Sequence, residues 1–220
     1  MPIKIAGWQK LSLIDYPDKM AAVIFLAGCN MRCHYCHNRH ILTVQANQLS
    51  FDEVLSELCQ RKAWLDAVVV SGGEPTLSPN LIPLLQSLRS LGLLIKLDTN
   101  GTRPAVVRQV IEAGLVDYVA LDVKAPPRKH LAITGMSMEP VLATVKYLKS
   151  QKRVPYMLRT TLTPRLTTSD LLEMGHSIIK GASCWQIQQC RTIGAYSDAE
   201  IRAMVVTVKN CAPHVVVKGL

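Results

Sequence analysis

The amino-acid sequence predicts an α/β fold, a partial (β/α)6 TIM-type barrel open on one side, in one domain covering residues 1–220. Three observations lead there. Short apolar runs rich in β-branched residues recur along the chain, a segment with helical spacing follows each, and the runs are apolar almost throughout rather than at alternate positions. Strands that read this way are buried on both faces, which calls for a parallel sheet covered by helices.

In chain order the runs are "AAVIFLAG" (21–28), "AVVVSGG" (67–73), "LIKLDTNG" (94–101), "VDYVALDVK" (116–124), "YMLRTTLTP" (156–164) and "CWQIQQC" (184–190). The segments 51–63, 79–91, 103–113, 139–151, 168–180 and 197–210 place apolar residues near i, i+3, i+4 and i+7, as helices packed on a sheet do. Ser50 precedes the first of them with Glu53 three residues on, the pattern of a capping box. Thr168 or Ser169 opens the fifth, with acids in the first turn. Six units are two short of a closed barrel, so the wall is expected to stay open, with the functional residues at the C-terminal strand ends. "VVVK" (215–218) reads as a last edge strand and residues 1–20 as a short lead-in.

With 220 residues, 49% of them hydrophobic, the chain is long enough to bury a sizeable core. The net charge is +9, but the charges form no block and aromatics are only 5%, so the basic-aromatic interleaving that stacks single-stranded nucleic acid is missing. Nucleic acid is therefore not an expected partner. The N-terminus lacks the order of a signal peptide and no apolar run approaches the roughly 18 residues of a membrane span, so a cytoplasmic protein with no membrane partner is expected.

In a reducing compartment seven cysteines, three tightly clustered, point to a metal or redox site rather than disulfides. The cluster is "CNMRCHYC", with Cys29, Cys33 and Cys36 in the spacing CxxxCxxC and His34, His37 and His40 interleaved. Structural zinc takes four ligands, so a histidine would have to join, and such sites usually pair two ligand clusters where this chain has one. A [4Fe-4S] cluster on three thiolates instead leaves one iron open for a small molecule. Other polar residues fall at the remaining strand ends: Ser71, Gly72, Gly73 and Glu74 after the second run, Asp98, Thr99 and Asn100 in the third, Asp122 and Lys124 in the fourth, Arg159 in the fifth, Gln188, Gln189 and Arg191 at the sixth. The predicted layout collects them on one rim.

"CNMRCHYC", followed by "SGGEP" after the second strand, resembles the motif pair of the radical S-adenosylmethionine (SAM) superfamily. "SLIDYPDKMAAVIFLAGCNMRCHYCHN" is similar to the opening of the anaerobic ribonucleoside-triphosphate reductase activating proteins, a branch of the glycyl-radical-enzyme activases. Asp18 is a departure, standing where that branch usually has glycine, and it touches a turn more than the chemistry. The resemblance implies that Cys29, Cys33 and Cys36 hold a [4Fe-4S] cluster and that SAM fills its open iron. One electron then splits SAM into methionine and a 5′-deoxyadenosyl radical, which takes a hydrogen atom from a glycine of a partner enzyme. It further implies that Gly72, Gly73 and Glu74 hold the SAM amino group, that Asp98 and Lys124 contact its methionyl part, and that Arg159 lies near it. Asn100 joins this cofactor-binding set, and Asp98, Thr99 and Asp122 could share a monovalent cation. The implied partners are a glycyl radical enzyme, foremost anaerobic ribonucleotide reductase, and a reduced flavodoxin or ferredoxin-type electron donor. Arg191 stands where the related activases carry a histidine.

Other readings of the same residues stay open at this point. Asp98 and Asp122 could be turn residues, and Lys124 and Arg159 surface charges with packed stems. Cys59 reads as a small buried hydrophobe, Cys184, Cys190 and Cys211 show no ligand spacing, and "KAPPRKH" (124–130) is either plain surface or a dock for a protein partner. At the level of function, a noncatalytic metal-binding protein and a radical SAM enzyme acting on a small molecule of deazapurine type are the alternatives. Only Cys59 lies between Cys36 and Gly72, so the ferredoxin-like insertion of larger activases is absent and a minimal activase is favoured.

Overall fold

A computed structural model gives the fold and describes residues 3–42, 49–190, 193 and 196–219. One sheet of eight strands runs in sequence order: β1 (Ile5–Ser12), β2 (Ala21–Leu26), β3 (Ala67–Gly72), β4 (Leu94–Thr99), β5 (Tyr118–Asp122), β6 (Tyr156–Leu162), β7 (Cys184–Gln189) and β8 (His214–Lys218). From β2 onward every pairing is parallel, and the crossovers carry the helices α1 (Phe51–Arg61), α2 (Leu81–Arg89), α3 (Pro104–Glu112), α4 (Pro127–Thr134), α5 (Glu139–Ser150), α6 (Thr168–Met174) and α7 (Asp198–Val208). The six strand-helix units from β2 to α7 are those the sequence predicts. β1 and β8 do not pair with each other, so the barrel stays open. Lys218 Nζ reaches the Ile14 carbonyl at 2.9 Å, a side-chain bridge across that seam.

Side chains alternate along each parallel strand between the helices and the lumen. On β2, β3 and β4 the residues Ala22, Ile24, Val68, Val70, Ile95 and Leu97 join the main core beneath Leu84, Leu88, Val107 and Val110 of the helices. The inward set at the N-terminal end, Ala21, Val23, Ala67 and Val69 with Tyr16, makes a second, smaller apolar cluster that floors the lumen. Above this floor the inward positions turn polar, beginning at Lys96 and Asp98. The crossover from wall to site is therefore written in the period-two pattern of each strand.

Several local expectations are corrected. Residues 5–12 of the predicted lead-in form β1, antiparallel to β2 with Trp8 opposite Ile24, and its exposed Lys10 suits an edge strand. Ser50 stands at the N-cap of α1 but makes no side-chain cap bond. The cap of α6 is Thr167, whose hydroxyl receives the Asp170 N–H while the Asp170 carboxylate receives the Thr167 N–H. Thr167, rather than Thr168 or Ser169, is the residue three before the acid, and that spacing decides among three adjacent candidates. Cys59 is exposed, because α1 buries Val54 and Leu58 and the next residue turns about 100° away. α4 begins inside the basic patch 124–130, where the sequence predicts no helix; Pro127 starts it and Gly135 ends it at φ 76°, the Pro-first, Gly-last asymmetry of helices. Its Arg128 pairs with Glu173 at 2.7 Å and also with Asp170, and Lys129 pairs with Asp170 at 2.7 Å. These charges pair with acids of α6, and Arg128 stays half exposed. Asp18 takes φ 56°, the left-handed region where a glycine would sit without strain. Among the described residues no helix is long and apolar enough to cross a membrane.

Candidate active site

At the C-terminal ends of the parallel strands lies a cavity of about 890 Å³ whose walls include Cys29, Cys33 and Cys36, Gly72 to Glu74, Asp98 to Asn100, Asp122, Lys124 and Arg159. Every cofactor-binding and metal residue expected from the sequence therefore lines one space. Gln188 and Gln189 border it too, as does the buried Cys190, whereas Arg191 lies outside the described residues. Of the three interleaved histidines only His37 is on the cavity wall.

The cysteine loop follows β2 and has no regular structure of its own, so its shape comes from outside. Met31 and Tyr35 are buried in the core, anchoring the segment between the thiols. Backbone bonds from Gly28 N to Ile41 O at 2.8 Å and from Arg32 N to Thr134 O at 2.8 Å tie it to its surroundings. The closest support comes from the glycines after β3. Gly73 N donates to Leu26 O at 2.9 Å and Glu74 N to Gly28 O at 2.8 Å. A Cβ on Gly73 would stand 2.0 Å from Gly28 O, and one on Gly72, at φ 124°, would stand 2.3 Å from Leu26 N and O. The paired glycines are thus what lets the loop bearing Cys29 lie against β3.

Glu74 is buried, and its carboxylate is fully engaged by protein. Oε1 accepts from Thr76 N at 3.1 Å, Thr76 Oγ1 at 2.5 Å and Thr99 Oγ1 at 2.7 Å, while Oε2 accepts from Asn100 N at 2.6 Å. Burial pushes its carboxyl up from the usual range and these donors pull the other way. Glu74 thereby locks the end of β3 to the end of β4. Asn100 carries the link onward, donating from Nδ2 to Asn30 Oδ1 at 3.0 Å and standing 3.9 Å from Cys29 Sγ. Asn30 in turn donates to Thr102 Oγ1 at 2.8 Å. The sequence reading singles out neither: Asn30 lies inside the cysteine motif beside Cys29, and Thr102 directly follows the third run.

On the opposite wall an alternating chain of charges crosses three strands. Lys96 Nζ meets Asp98 Oδ1 at 2.6 Å, Arg159 Nη1 meets Asp98 Oδ2 at 2.9 Å, Arg159 Nε meets Asp122 Oδ1 at 2.6 Å, and Lys124 Nζ meets Asp122 Oδ2 at 3.0 Å. The register allows it, since Asp98 lies beside Ala120 and Asp122 beside Arg159. Burial alone would raise both carboxyls, but Lys96 and Arg159 hold Asp98 below the usual range, and Arg159 and Lys124 hold Asp122 well below it. The turn-residue reading of these acids and the surface reading of the bases both give way to this network. Lys96 is a member the sequence reading overlooked, although a lysine two residues before Asp98 in a strand must share its face.

The thiols sit at the other edge of the charge chain. Burial pushes Cys29 and Cys33 up from the ordinary thiol range, and Lys124 opposes it at both. Cys36 N donates to Cys33 O at 3.0 Å, and Met31 N points at Cys29 Sγ at 3.4 Å. None of the seven cysteines, all among the described residues, is in a disulfide. Among the described residues no three His, Cys, Asp or Glu side chains converge as ligands of a single ion. Thiolates of an iron-sulfur cluster each bind their own iron rather than one shared ion, and Cys29, Cys33 and Cys36 all lie on the cavity wall.

A family model described as the radical SAM superfamily matches residues 23–178. A protein of Methanocaldococcus jannaschii, provisionally named a glycyl-radical enzyme activating enzyme, is 33% identical over 216 residues, which is 96% of this chain and 89% of its own. The pyruvate formate-lyase-activating enzyme of Streptococcus mutans is 31% identical over 210 residues, 88% of this chain and 79% of its own. Among solved structures, QueE from Escherichia coli superposes with a TM-score of 0.60 at 15% identity over 100% of this chain and 95% of that one. Streptococcus suis SuiB bound to S-adenosylmethionine gives 0.69 at 16% identity, over 87% of this chain but only 48% of SuiB, and both likenesses are of fold alone. The chain belongs to the radical SAM superfamily, in its family of glycyl-radical-enzyme activases. That family works with a [4Fe-4S] cluster and SAM, and the reading as a noncatalytic metal protein is withdrawn.

Proposed function

We propose that this protein reductively cleaves SAM at a [4Fe-4S] cluster on Cys29, Cys33 and Cys36 and thereby places a glycyl radical on a partner enzyme, anaerobic ribonucleoside-triphosphate reductase. The observation that carries the reading is the meeting, in one cavity, of three free thiols with a glycine-built backbone shelf and a charge chain ending at Lys124. The bound pair supplies the difficult chemistry, one electron breaking the sulfonium C–S bond to give methionine and a 5′-deoxyadenosyl radical that abstracts hydrogen. The protein's own groups hold and shield. Three cations against two carboxylates leave the charge chain one positive charge in excess, and Lys124, nearest the thiols, presents it to the methionyl carboxylate. The backbone carbonyls from Gly72 to Glu74 are the acceptors for the amino end, since the Gly73 and Glu74 N–H groups are bonded to Leu26 O and Gly28 O, and the Glu74 side chain braces that shelf. Met31, Tyr35 and the apolar floor keep water from the site.

The seam between β1 and β8 offers a way in for a glycine loop of a macromolecular partner. Reduced flavodoxin or a ferredoxin-type protein is the electron donor that fits this chemistry, and the cytoplasm is the compartment that fits free thiols. Anaerobic protein reconstituted with iron and sulfide, reduced and given SAM is expected to release 5′-deoxyadenosine, and with the reductase to produce a glycyl doublet in electron paramagnetic resonance. Cys33→Ala abolishes both. Turnover that needs no protein partner would assign a small-molecule substrate instead, and SAM cleavage that survives Cys33→Ala would overturn the cluster assignment.

A further inference from the structure

The acidic pair Asp98 and Asp122, with Thr99, is the set expected to share a monovalent cation, yet its oxygens are already spoken for. All four carboxylate oxygens face a protein nitrogen: Lys96 and Arg159 on Asp98, Arg159 and Lys124 on Asp122. The Thr99 hydroxyl is also taken, donating to Glu74 Oε1 at 2.7 Å and receiving Gly101 N at 3.0 Å. The residues do not fit an alkali ion as an added ligand.

What stands in its place is Lys96. Its stem crosses the apolar floor, beside Val69 on one neighbouring strand and Tyr118 on the other, and it is 2% exposed. Its ammonium ends between Asp98 Oδ1 at 2.6 Å and the Asp15 carbonyl at 2.5 Å, one carboxylate and one carbonyl oxygen, the hard donors that suit an alkali ion. The charge count agrees. Without Lys96 the two carboxylates are matched by Arg159 and Lys124 and the chain of charges is neutral; with it, one positive charge is left for an incoming carboxylate. An alkali ion would supply that same single charge, but at a concentration-dependent cost that a tethered ammonium does not have.

We propose that Lys96 is the built-in cation of this site, replacing a monovalent metal ion one for one, so that the fold and its ligand binding are independent of K⁺ and Na⁺. The identity of the ligand rests on the function proposed above; the identity of the cation does not.

The test is read on apo-protein, at matched ionic strength in KCl, NaCl and tetramethylammonium chloride. Wild type is expected to melt at one temperature in all three salts. Lys96→Ala is expected to melt lower in tetramethylammonium chloride and to recover by several degrees in KCl or NaCl, the ion entering the place of the ammonium. Lys96→Arg, which keeps the charge, is expected to be as indifferent to salt as wild type. In reconstituted protein, SAM affinity should follow the same pattern, alkali-dependent only in Lys96→Ala. A wild type that melts higher in KCl or NaCl than in tetramethylammonium chloride, or a folded Lys96→Ala without preference among the salts, would overturn the proposal. Should Lys96→Ala not fold, thallium(I) NMR on wild type decides, no saturable bound-ion signal being expected and its appearance being fatal. Failure of SAM cleavage leaves the melting result untouched and bears on the function alone.

Discussion

Gly73→Ala separates two meanings of the paired glycines. If they serve to let a ligand approach the backbone, alanine should spoil SAM binding and leave the cluster intact. The structure says that alanine acts first on the cysteine loop. The new Cβ would lie 2.0 Å from Gly28 O and 2.6 Å from Gly28 C, where ordinary contact begins at 3.4 Å, so backbone must separate by about 1.4 Å. No flexible side chain is there to give way. Overpacking of this kind costs roughly 1–3 kcal/mol, and weakening the bonds from Gly73 N to Leu26 O and from Glu74 N to Gly28 O adds about 0.5–1.5 kcal/mol each. A loss of about 2–6 kcal/mol follows, which at about 2–4 °C per kcal/mol lowers the melting point by roughly 4–24 °C. The assay is iron bound per chain after anaerobic reconstitution, beside apo-protein melting and SAM affinity. We expect iron loading to fall with stability, because the Cys29 segment is what moves. A variant that melts and loads iron as wild type does while losing SAM would refute the reasoning.

Three further outcomes are expected. Glu74→Gln leaves a buried donor facing donors among Thr76, Thr99 and Asn100, and should cost about 1–3 kcal/mol in urea unfolding; an unchanged midpoint would show that the brace is dispensable. Arg159→Met removes the guanidinium that links Asp98 to Asp122, leaving each acid one lysine, and should cost about 1–3 kcal/mol at neutral pH. Both acids are held below the usual range, so the stability they contribute is present above about pH 4 and is lost as the solution is acidified further; the variant should lose less than wild type over that acid range, and equal acid sensitivity would contradict the network. Cys29 and Cys33 are shifted the other way by burial, so apo-protein stability is complete below about pH 8.5 and declines as pH rises past it, an alkaline loss that Cys29→Ser/Cys33→Ser should remove when melting is followed against pH.

Much of the fold is legible in local pattern because parallel strands announce themselves. Runs such as "AVVVSGG" are apolar on both faces, their ends are marked by glycine and polar residues, and strand ends are where this architecture gathers its chemistry. The rim residues could therefore be placed together before any coordinates. Short-range signals were less reliable where several candidates compete. Thr167, Thr168 and Ser169 all qualify as caps, and only the spacing to Asp170 selects the first, whereas Ser50 has the spacing and forms no cap bond.

What the sequence determined by itself is the set of reactive groups and the order of the elements that carry them, for both follow from residue type and from periodicity along one strand or helix. Which group answers which was decided by tertiary structure. Lys96, Asp98, Asp122 and Arg159 become one charge chain only through the register of β4, β5 and β6, and Glu74 turns from ligand candidate to brace because Thr99 and Asn100 arrive from the next strand. Hydrogen bonds and ion pairs act over a few ångströms between residues 25 to 61 positions apart, and no pattern along the chain encodes that distance.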